Sequence, residues 1–296
     1  MADFLQLLVA GLATGAIYAL AAIGFTLLWQ TSQTINFAQG EFVMLPAFFA
    51  LIAMNLGAPF PLAALIAILG AMVILGLTFK LAVVDPLIKS GPLPLVISTI
   101  GVGLLLKDGV KEFYSAEAQP FPKVFPETPF SLGGANFTYA QIAVLGVALA
   151  VIMALNWFLA GTRTGRQMQA SAQNPTVARI LGINVNRMIF YTFLINAILA
   201  AVASLLIAPS QFAKFSQGEQ LGLAAFVAAI VGGFNQVRGA IVGGLVVGVA
   251  DNFAPTLLSA AGLSSAYRQA LPLFLLVLII LFRPQGLVGR KEERAI

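Results

Sequence analysis

The sequence predicts an all-α polytopic integral membrane protein, and three observations carry that class. Hydrophobic residues fill 59% of the 296 positions, and Asp, Glu, Lys and Arg together fill only 9%, against about a quarter in soluble domains. The apolar residues come in runs, several longer than the ~20 needed to cross about 30 Å of hydrocarbon as a helix. The breaks between runs hold turn chemistry: Gly57-Ala58-Pro59-Phe60-Pro61, Ser90-Gly91-Pro92-Leu93-Pro94 and the proline-rich stretch 119–129.

Taken in order, apolar segments lie near 4–29, 41–56, 62–84, 94–112, 139–160, 189–212, 221–235, 239–253 and 268–282. The first opens Met1-Ala2-Asp3-Phe4 with no basic lead and runs on to Trp29, too long for a cleaved signal, so it reads as a retained membrane helix. Between the first two runs, Thr31, Ser32, Gln33, Thr34, Asn36 and Gln39 are polar. They can satisfy backbone groups in a broken helix, which is tolerated at depth where it lines a cavity or is buried in protein; the plain alternative is an ordinary turn with Glu41 in a favourable first-turn position. The fourth run ends in Lys107, Asp108, Lys111 and Glu112, where Asp108 and Lys111 have the spacing of a helical pair. Segments 221–235 and 239–253 are short, roughly 22 Å each as helix. They are two tilted spans or one re-entrant hairpin, giving nine or seven crossings. Asp251 and Asn252 read as the end of the second, either lining a vestibule or facing water.

No linker or charge block divides residues 1–296, so the chain reads as a single membrane domain. No internal repeat emerges: Gly15-Ala16-Ile17 and Gly239-Ala240-Ile241 agree for only three residues. Gly11/Gly15, Gly239/Gly243 and Gly244/Gly248 have the four-residue spacing that lets helices approach closely in lipid, either within the chain or at a subunit interface. With 163–187 on the cytoplasmic side, alternation puts Lys80, Lys89, Arg163, Arg166, Arg179, Arg187, Arg238, Arg283, Arg290, Lys291 and Arg294 inside. Lys107, Lys111, Lys123, Lys214 and Arg268 fall outside, an 11 to 5 bias that predicts N-terminus out and C-terminus in.

Chemistry is excluded more readily than assigned. There is no Cys and no His, so disulfides, thiolate metal sites and the commonest general base are absent. The net charge of +5 belongs to the loops of a membrane protein and not to a nucleic-acid surface. No Gly-x-x-x-x-Gly-Lys-Ser/Thr loop occurs, and no metal cluster or paired carboxylate sits within a span, which argues against an intramembrane enzyme. A proton-coupled transporter needs ionisable groups at depth, and only Glu41 and Asp251 have a claim to it.

The segment 161–188 is long for a connection between membrane helices and carries helix signals. Asn174 can cap, Pro175 suits the first helical position, and Gly182 supplies a left-handed stop; a second short helix is expected over 166–172. The result is a compact, partly apolar knob: a connector lying on lipid, or a docking surface.

Thr164-Gly165-Arg166-Gln167-Met168-Gln169-Ala170-Ser171-Ala172-Gln173-Asn174-Pro175, followed by Ala178, Leu181-Gly182-Ile183 and Asn184-Val185-Asn186-Arg187, resembles the coupling loop of ABC importer permeases of the branched-chain amino-acid (Liv-type) family. Gly15-Ala16-Ile17-Tyr18-Ala19-Leu20 with Asn36-Phe37-Ala38-Gln39-Gly40-Glu41 resembles that family's first block, though many members have His where Gln39 stands. Gly239-Ala240-Ile241-Val242-Gly243-Gly244 and Arg283-Pro284-Gln285-Gly286-Leu287-Val288-Gly289 resemble its C-terminal blocks. The resemblance spans the chain and is to the shorter of the two permeases.

It implies a multi-pass protein of a bacterial inner membrane that pairs with a second homologous permease. Two cytoplasmic ATPases would bind ATP and Mg, leaving no cofactor in this chain, and an extracytoplasmic solute-binding protein would deliver branched-chain or other amino acids, amides, urea or small aromatic acids. Arg166, Ala170, Asn174, Pro175, Ala178, Arg179 and Gly182 would form the ATPase-coupling surface. Asn36, Gln39, Glu41 and Asp251 are the pathway-lining candidates from the polar breaks, and the outer stretch 113–137, with Glu117 and Glu127, is a candidate contact for the binding protein.

Overall fold

In the computed structural model, which describes residues 2–33, 35–126, 128–132 and 134–289, each of the nine apolar segments is a helix and the knob contributes two more. They are α1 (Ala2–Ser32), α2 (Gln39–Asn55), α3 (Phe60–Leu87), α4 (Pro92–Phe113), α5 (Tyr139–Gly161), α6 (Arg163–Gln173), α7 (Pro175–Ile180), α8 (Val185–Gln211), α9 (Gln217–Gly232), α10 (Val237–Ala260) and α11 (Ala270–Phe282). Among the described residues six are long and apolar enough to cross a membrane: α1, α3, α4, α5, α8 and α10. Arg290, Lys291, Arg294, Glu127 and Thr34 lie outside the described residues.

α1 is the axis of the bundle, buried from Gly15 to Leu28. It packs antiparallel on α10 through glycines: a Cβ on Gly15 would lie 2.8 Å from the Leu245 backbone, and one on Gly248 would lie 2.2 Å from the backbone of Gly15. The α9–α10 hairpin closes the same way, a Cβ on Gly243 meeting the Ala228 carbonyl at 1.9 Å. The glycine spacing therefore serves packing within the chain. The segment after α11 is part of this assembly: Leu287 and Val288 N–H groups donate to the Val231 and Gly232 carbonyls at the end of α9 (2.8 and 3.0 Å), satisfying acceptors a helix end leaves open.

Two expectations are corrected. Residues 239–253 belong to a helix of 24 residues, so they are not half of a short re-entrant hairpin, and Asp251 lies well inside α10. The shortness is real for α9, 16 residues, and for α2, 17 residues. The stretch before α5 also contains an antiparallel pair that the sequence reading did not foresee, β1 (Pro129–Leu132) and β2 (Ala135–Thr138). It runs into α5 through a capping box between Thr138 and Gln141. This pair marks one end of the bundle, the hairpin end; α6 and α7 mark the other, the knob end.

The third correction is that an internal repeat exists. Residues 14–54 align with 192–232 without a gap: Thr14, Ile17, Ala19, Ala22, Leu27 and Leu28 recur as Thr192, Ile195, Ala197, Ala200, Leu205 and Leu206, and Phe37-Ala38-Gln39-Gly40-Glu41 recurs as Phe215-Ser216-Gln217-Gly218-Glu219. Each copy is a long helix, a bend and a short helix. Contacts at Gln39–Asn196 and Ala47–Ser204 run α2 parallel to α8, while Phe25 against Phe226 and Trp29 against Phe234, two residues past the end of α9, run α9 parallel to α1. The copies therefore point in opposite directions and interlock. Their bends meet at the start of the short helices, where a Cβ on Gly40 would be 2.0 Å from the Gly218 carbonyl.

Candidate functional site

At the first bend α1 stops at Ser32, Gln33 takes φ 53°, and the chain turns back into the protein before α2 begins. Asn36, Gln39 and Glu41 are buried. The Asn36 Oδ1 accepts from Ala38 N–H at 3.0 Å, and its amide nitrogen has no partner. Gln39 and Asn196 exchange two amide hydrogen bonds, Gln39 Nε2 to Asn196 Oδ1 at 2.8 Å and Asn196 Nδ2 to Gln39 Oε1 at 2.9 Å, both side chains fully enclosed. Gly24 leaves the room: a Cβ there would lie 2.0 Å from Asn196 Oδ1 and 2.5 Å from Gln39 Nε2. Pro46 interrupts α2, and the Ser204 hydroxyl accepts the Ala47 N–H at 2.9 Å, the kind of rescue that lets proline sit within an apolar bundle.

The second bend is built from the same residue types and ends differently. Phe212 holds φ 60° and ψ 159°, a region favourable almost only for glycine and costly for a phenylalanine. Ala213 forms a two-way backbone bridge with Gln119 (2.8 and 2.9 Å). Beyond it a cavity of about 590 Å³ opens, lined by Tyr18, Lys214, Gln217, Gln220, Asp251 and Arg268 with aliphatic walls at Leu221, Ala224 and Pro272. Asp251 accepts from Arg268 Nε and Nη2 (2.9 and 3.0 Å) and from the Tyr18 hydroxyl (3.1 Å). Of the four pathway candidates, Asp251 alone is on the wall of this cavity; Asn36, Gln39 and Glu41 are not among its lining residues. The sequence reading missed Tyr18, Lys214, Gln217 and Arg268, which the Phe215–Glu219 echo of Phe37–Glu41 would have flagged.

A third polar group joins the bends. Glu41 and Glu219 hold equivalent places in the two repeats, and Lys107 of α4 forms an ion pair with Glu219. Glu41 packs beside Gly103 on the same helix. Lys107 thus pairs across helices, and Lys111 lies 3.9 Å from Glu112.

At the knob end, Thr162 caps α6 by accepting from Gly165 N–H at 2.9 Å. Gly165 is wedged on α5, since a Cβ there would lie 2.2 Å from the Phe158 carbonyl. Asn174 caps α7, its Oδ1 accepting from Thr176 and Val177 N–H at 3.1 and 3.0 Å, and Gly182 closes the turn at φ 80°. Met168, Ser171 and Ala178 are buried and Ala170 is half-buried; Arg166, Asn174, Pro175, Arg179 and Gly182 are exposed. The outward face carries Val177, Ile180 and Leu181, the latter two 80% and 71% exposed. A broad groove of about 1040 Å³ runs beside the knob between α1, α5, α6 and the start of α10, with Gln30, Asn156, Gln169, Gln236 and Arg238 on its walls.

Among the described residues no group of acidic side chains could hold a metal ion. What the arrangement offers is a polar cavity within an apolar bundle and, at the opposite end, an ordered apolar knob.

The family profile described as "Branched-chain amino acid transport system / permease component" matches residues 7–280. The high-affinity branched-chain amino acid transport system permease protein BraD of Pseudomonas aeruginosa is 34% identical over 99% of this chain and 98% of its own. LivH of Escherichia coli K12, a permease protein of the same description, is 33% identical with the same coverage, and the ribose import permease protein RbsC of that strain is 27% identical over 90% of this chain and 82% of its own. Among solved structures, PsaBC from Streptococcus pneumoniae in complex with Fab superposes with a TM-score of 0.51 at 16% identity, covering 95% of this chain and 92% of that one, a likeness of fold. The chain belongs to the family of branched-chain amino acid transport system permease components.

Proposed function

For a chain of this family, we propose the role of one transmembrane half of an ATP-driven importer for branched-chain amino acids. It pairs with a second permease, receives solute from an extracytoplasmic binding protein, and is moved by two ATPases that bind ATP and Mg. The carrying observation is the knob: an ordered pair of helices with Val177, Ile180 and Leu181 turned to solvent in a chain that has no phosphate-binding loop of its own. An exposed apolar cluster on a rigid, capped helix suits a partner's groove. Arg166 and Arg179 flank it, placed to meet acidic residues on that partner. Family names support the substrate class: BraD and LivH are both named for branched-chain amino acids.

The same reading orients the protein. Arg163, Arg166, Arg179, Arg187, Arg238 and Arg283 gather at the knob end, and the positive-inside rule makes that end cytoplasmic. The hairpin end and its cavity then face the binding protein in the extracytoplasmic space of an inner membrane. ATPase closure would press α7, and α6 would carry the push to α1, α5 and α8, against which it packs.

The test is co-expression with the ATPase and second permease subunits. Ile180→Asp with Leu181→Asp is expected to leave the permease pair intact in detergent while the ATPases no longer co-purify and uptake of leucine into proteoliposomes is lost. Leucine uptake by the purified chain alone, driven by an ion gradient without ATP, would overturn the proposal.

A further inference from the structure

The repeat gives the hairpin-end cavity a reference state. In the first copy, the amide of Gln39 is closed by Asn196. At the alignment's offset, Gln217 corresponds to Gln39 and Tyr18 to Asn196. Here the pair is open. The Tyr18 hydroxyl turns to Asp251, and the Gln217 Nε2, on a residue only 8% exposed, has no hydrogen-bond partner. A buried donor left without an acceptor is costly, and both Gln217 and Tyr18 sit on the wall of the cavity.

The charges there are unequal. Asp251 is held by two hydrogen bonds from Arg268 and so is matched. Lys214, at the position of Asn36 in the first copy, forms no ion pair among the described residues. The wall thus offers the ammonium of an exposed Lys214 and the enclosed, unpaired Gln217 amide N–H, donors that together suit a carboxylate. Asp251 accepts three hydrogen bonds of about four a carboxylate can take, leaving an acceptor for an ammonium group. Leu221, Ala224 and Pro272 supply an apolar wall, and the 590 Å³ volume falls within the ~300–1,000 Å³ of small-molecule sites.

We infer that this cavity is a binding site in the permease itself for a zwitterionic α-amino acid with an aliphatic side chain. The carboxylate takes Lys214 and Gln217 Nε2, the ammonium takes Asp251, and the side chain lies on Leu221, Ala224 and Pro272. This rests on the proposed importer role and deepens it: the permease recognises the solute again after the binding protein releases it. The strained backbone at Phe212 fits that use, because it fixes the bend that carries Lys214.

The assembled transporter in nanodiscs, without binding protein, is probed by saturation-transfer NMR with L-leucine, 3-methylbutylamine (no carboxylate) and 4-methylpentanoate (no ammonium). Leucine binding is expected to weaken about tenfold, the scale of one charged hydrogen bond, in Lys214→Gln and in Gln217→Leu. Lys214→Arg restores most of it, and 3-methylbutylamine binding is not weakened by Lys214→Gln. Assembly with the partner subunits checks folding, and Lys111→Gln, at the same end outside the cavity, controls for general charge. Leucine binding that is absent in the wild type, undiminished in the two cavity variants, or lowered equally by Lys111→Gln overturns the site. Uptake is read separately. A wild-type complex that binds leucine by NMR yet transports no branched-chain amino acid overturns the importer substrate and leaves the site standing.

Discussion

The two bends begin from one pattern, Phe-x-Gln-Gly-Glu, and finish in opposite conditions. At the first, the glutamine is shut in: Gln39 and Asn196 satisfy each other, Gly24 leaves them room, and Glu41 is buried beside Gly103, although the Asn36 amide nitrogen has no partner. At the second, the glutamine is unpaired, the glutamate reaches out to Lys107, and the position of Asn36 is taken by Lys214 on a cavity wall. A shared bend is what packing requires, because α2 and α9 must start against each other at Gly40 and Gly218. What differs between the copies is free of that requirement. Recognition is therefore best sought where the repeat departs from itself, and a docking role where the chain leaves the repeat, at α6 and α7.

Breaking the shared part should do the most damage. Gly40→Ala places a methyl 2.0 Å from the Gly218 carbonyl, while the methyl of Gly218→Ala meets its nearest backbone atoms at 3.0 Å. The first is expected to cost more than about 3 kcal/mol, beyond ordinary overpacking, and to prevent recovery of monodisperse protein in detergent. The second should give folded protein with a lowered melting temperature. Equal yields from both would show that the bends do not touch as described.

Next in size is the closed amide pair against the open one. Asn196→Leu leaves the Gln39 amide buried without partners and should destabilise by about 1–3 kcal/mol, with Gln39→Leu in the same chain recovering part of the loss. Gln217→Leu removes an amide N–H that is already unpaired, so its melting temperature in the absence of solute should hold or rise. Thermal unfolding of the three variants in one detergent decides the contrast. A fall for Gln217→Leu as large as that for Asn196→Leu would mean that the second amide is not open.

Much of this architecture was legible in the residues, and the failures have physical causes. Helix positions followed from apolar runs, and the knob followed from its caps, since Asn174, Pro175 and Gly182 act on groups within three or four residues. Asp251 was misread as a helix end because its partners, Tyr18 and Arg268, are remote in sequence; a charge with distant partners looks like a terminus. The β1–β2 pair carried a local signal, Gly133-Gly134 between short apolar runs, hidden by the prolines before it. The repeat escaped because membrane helices draw on few residue types, so matches among Ala, Ile and Leu carry little weight. The distinctive echo is confined to the few polar residues at the bends.

The smallest expected effect separates the two glutamates. Glu219 is over half exposed and its partner Lys107 lies nearer the interior (58% and 20% by side chain). An ion pair so open to solvent contributes about 0–1 kcal/mol, and Glu219→Gln should therefore change the melting temperature little and less still at high salt. Glu41→Gln acts on a buried carboxylate with which no cation makes an ion pair among the described residues, so removing its charge relieves a desolvation cost and should raise stability. The sign, more than the size, carries the information. A rise for Glu41→Gln with almost no change for Glu219→Gln keeps the first bend as the enclosed half of the pair; the reverse order would make Glu41 the wetter of the two and exchange the roles assigned to the bends.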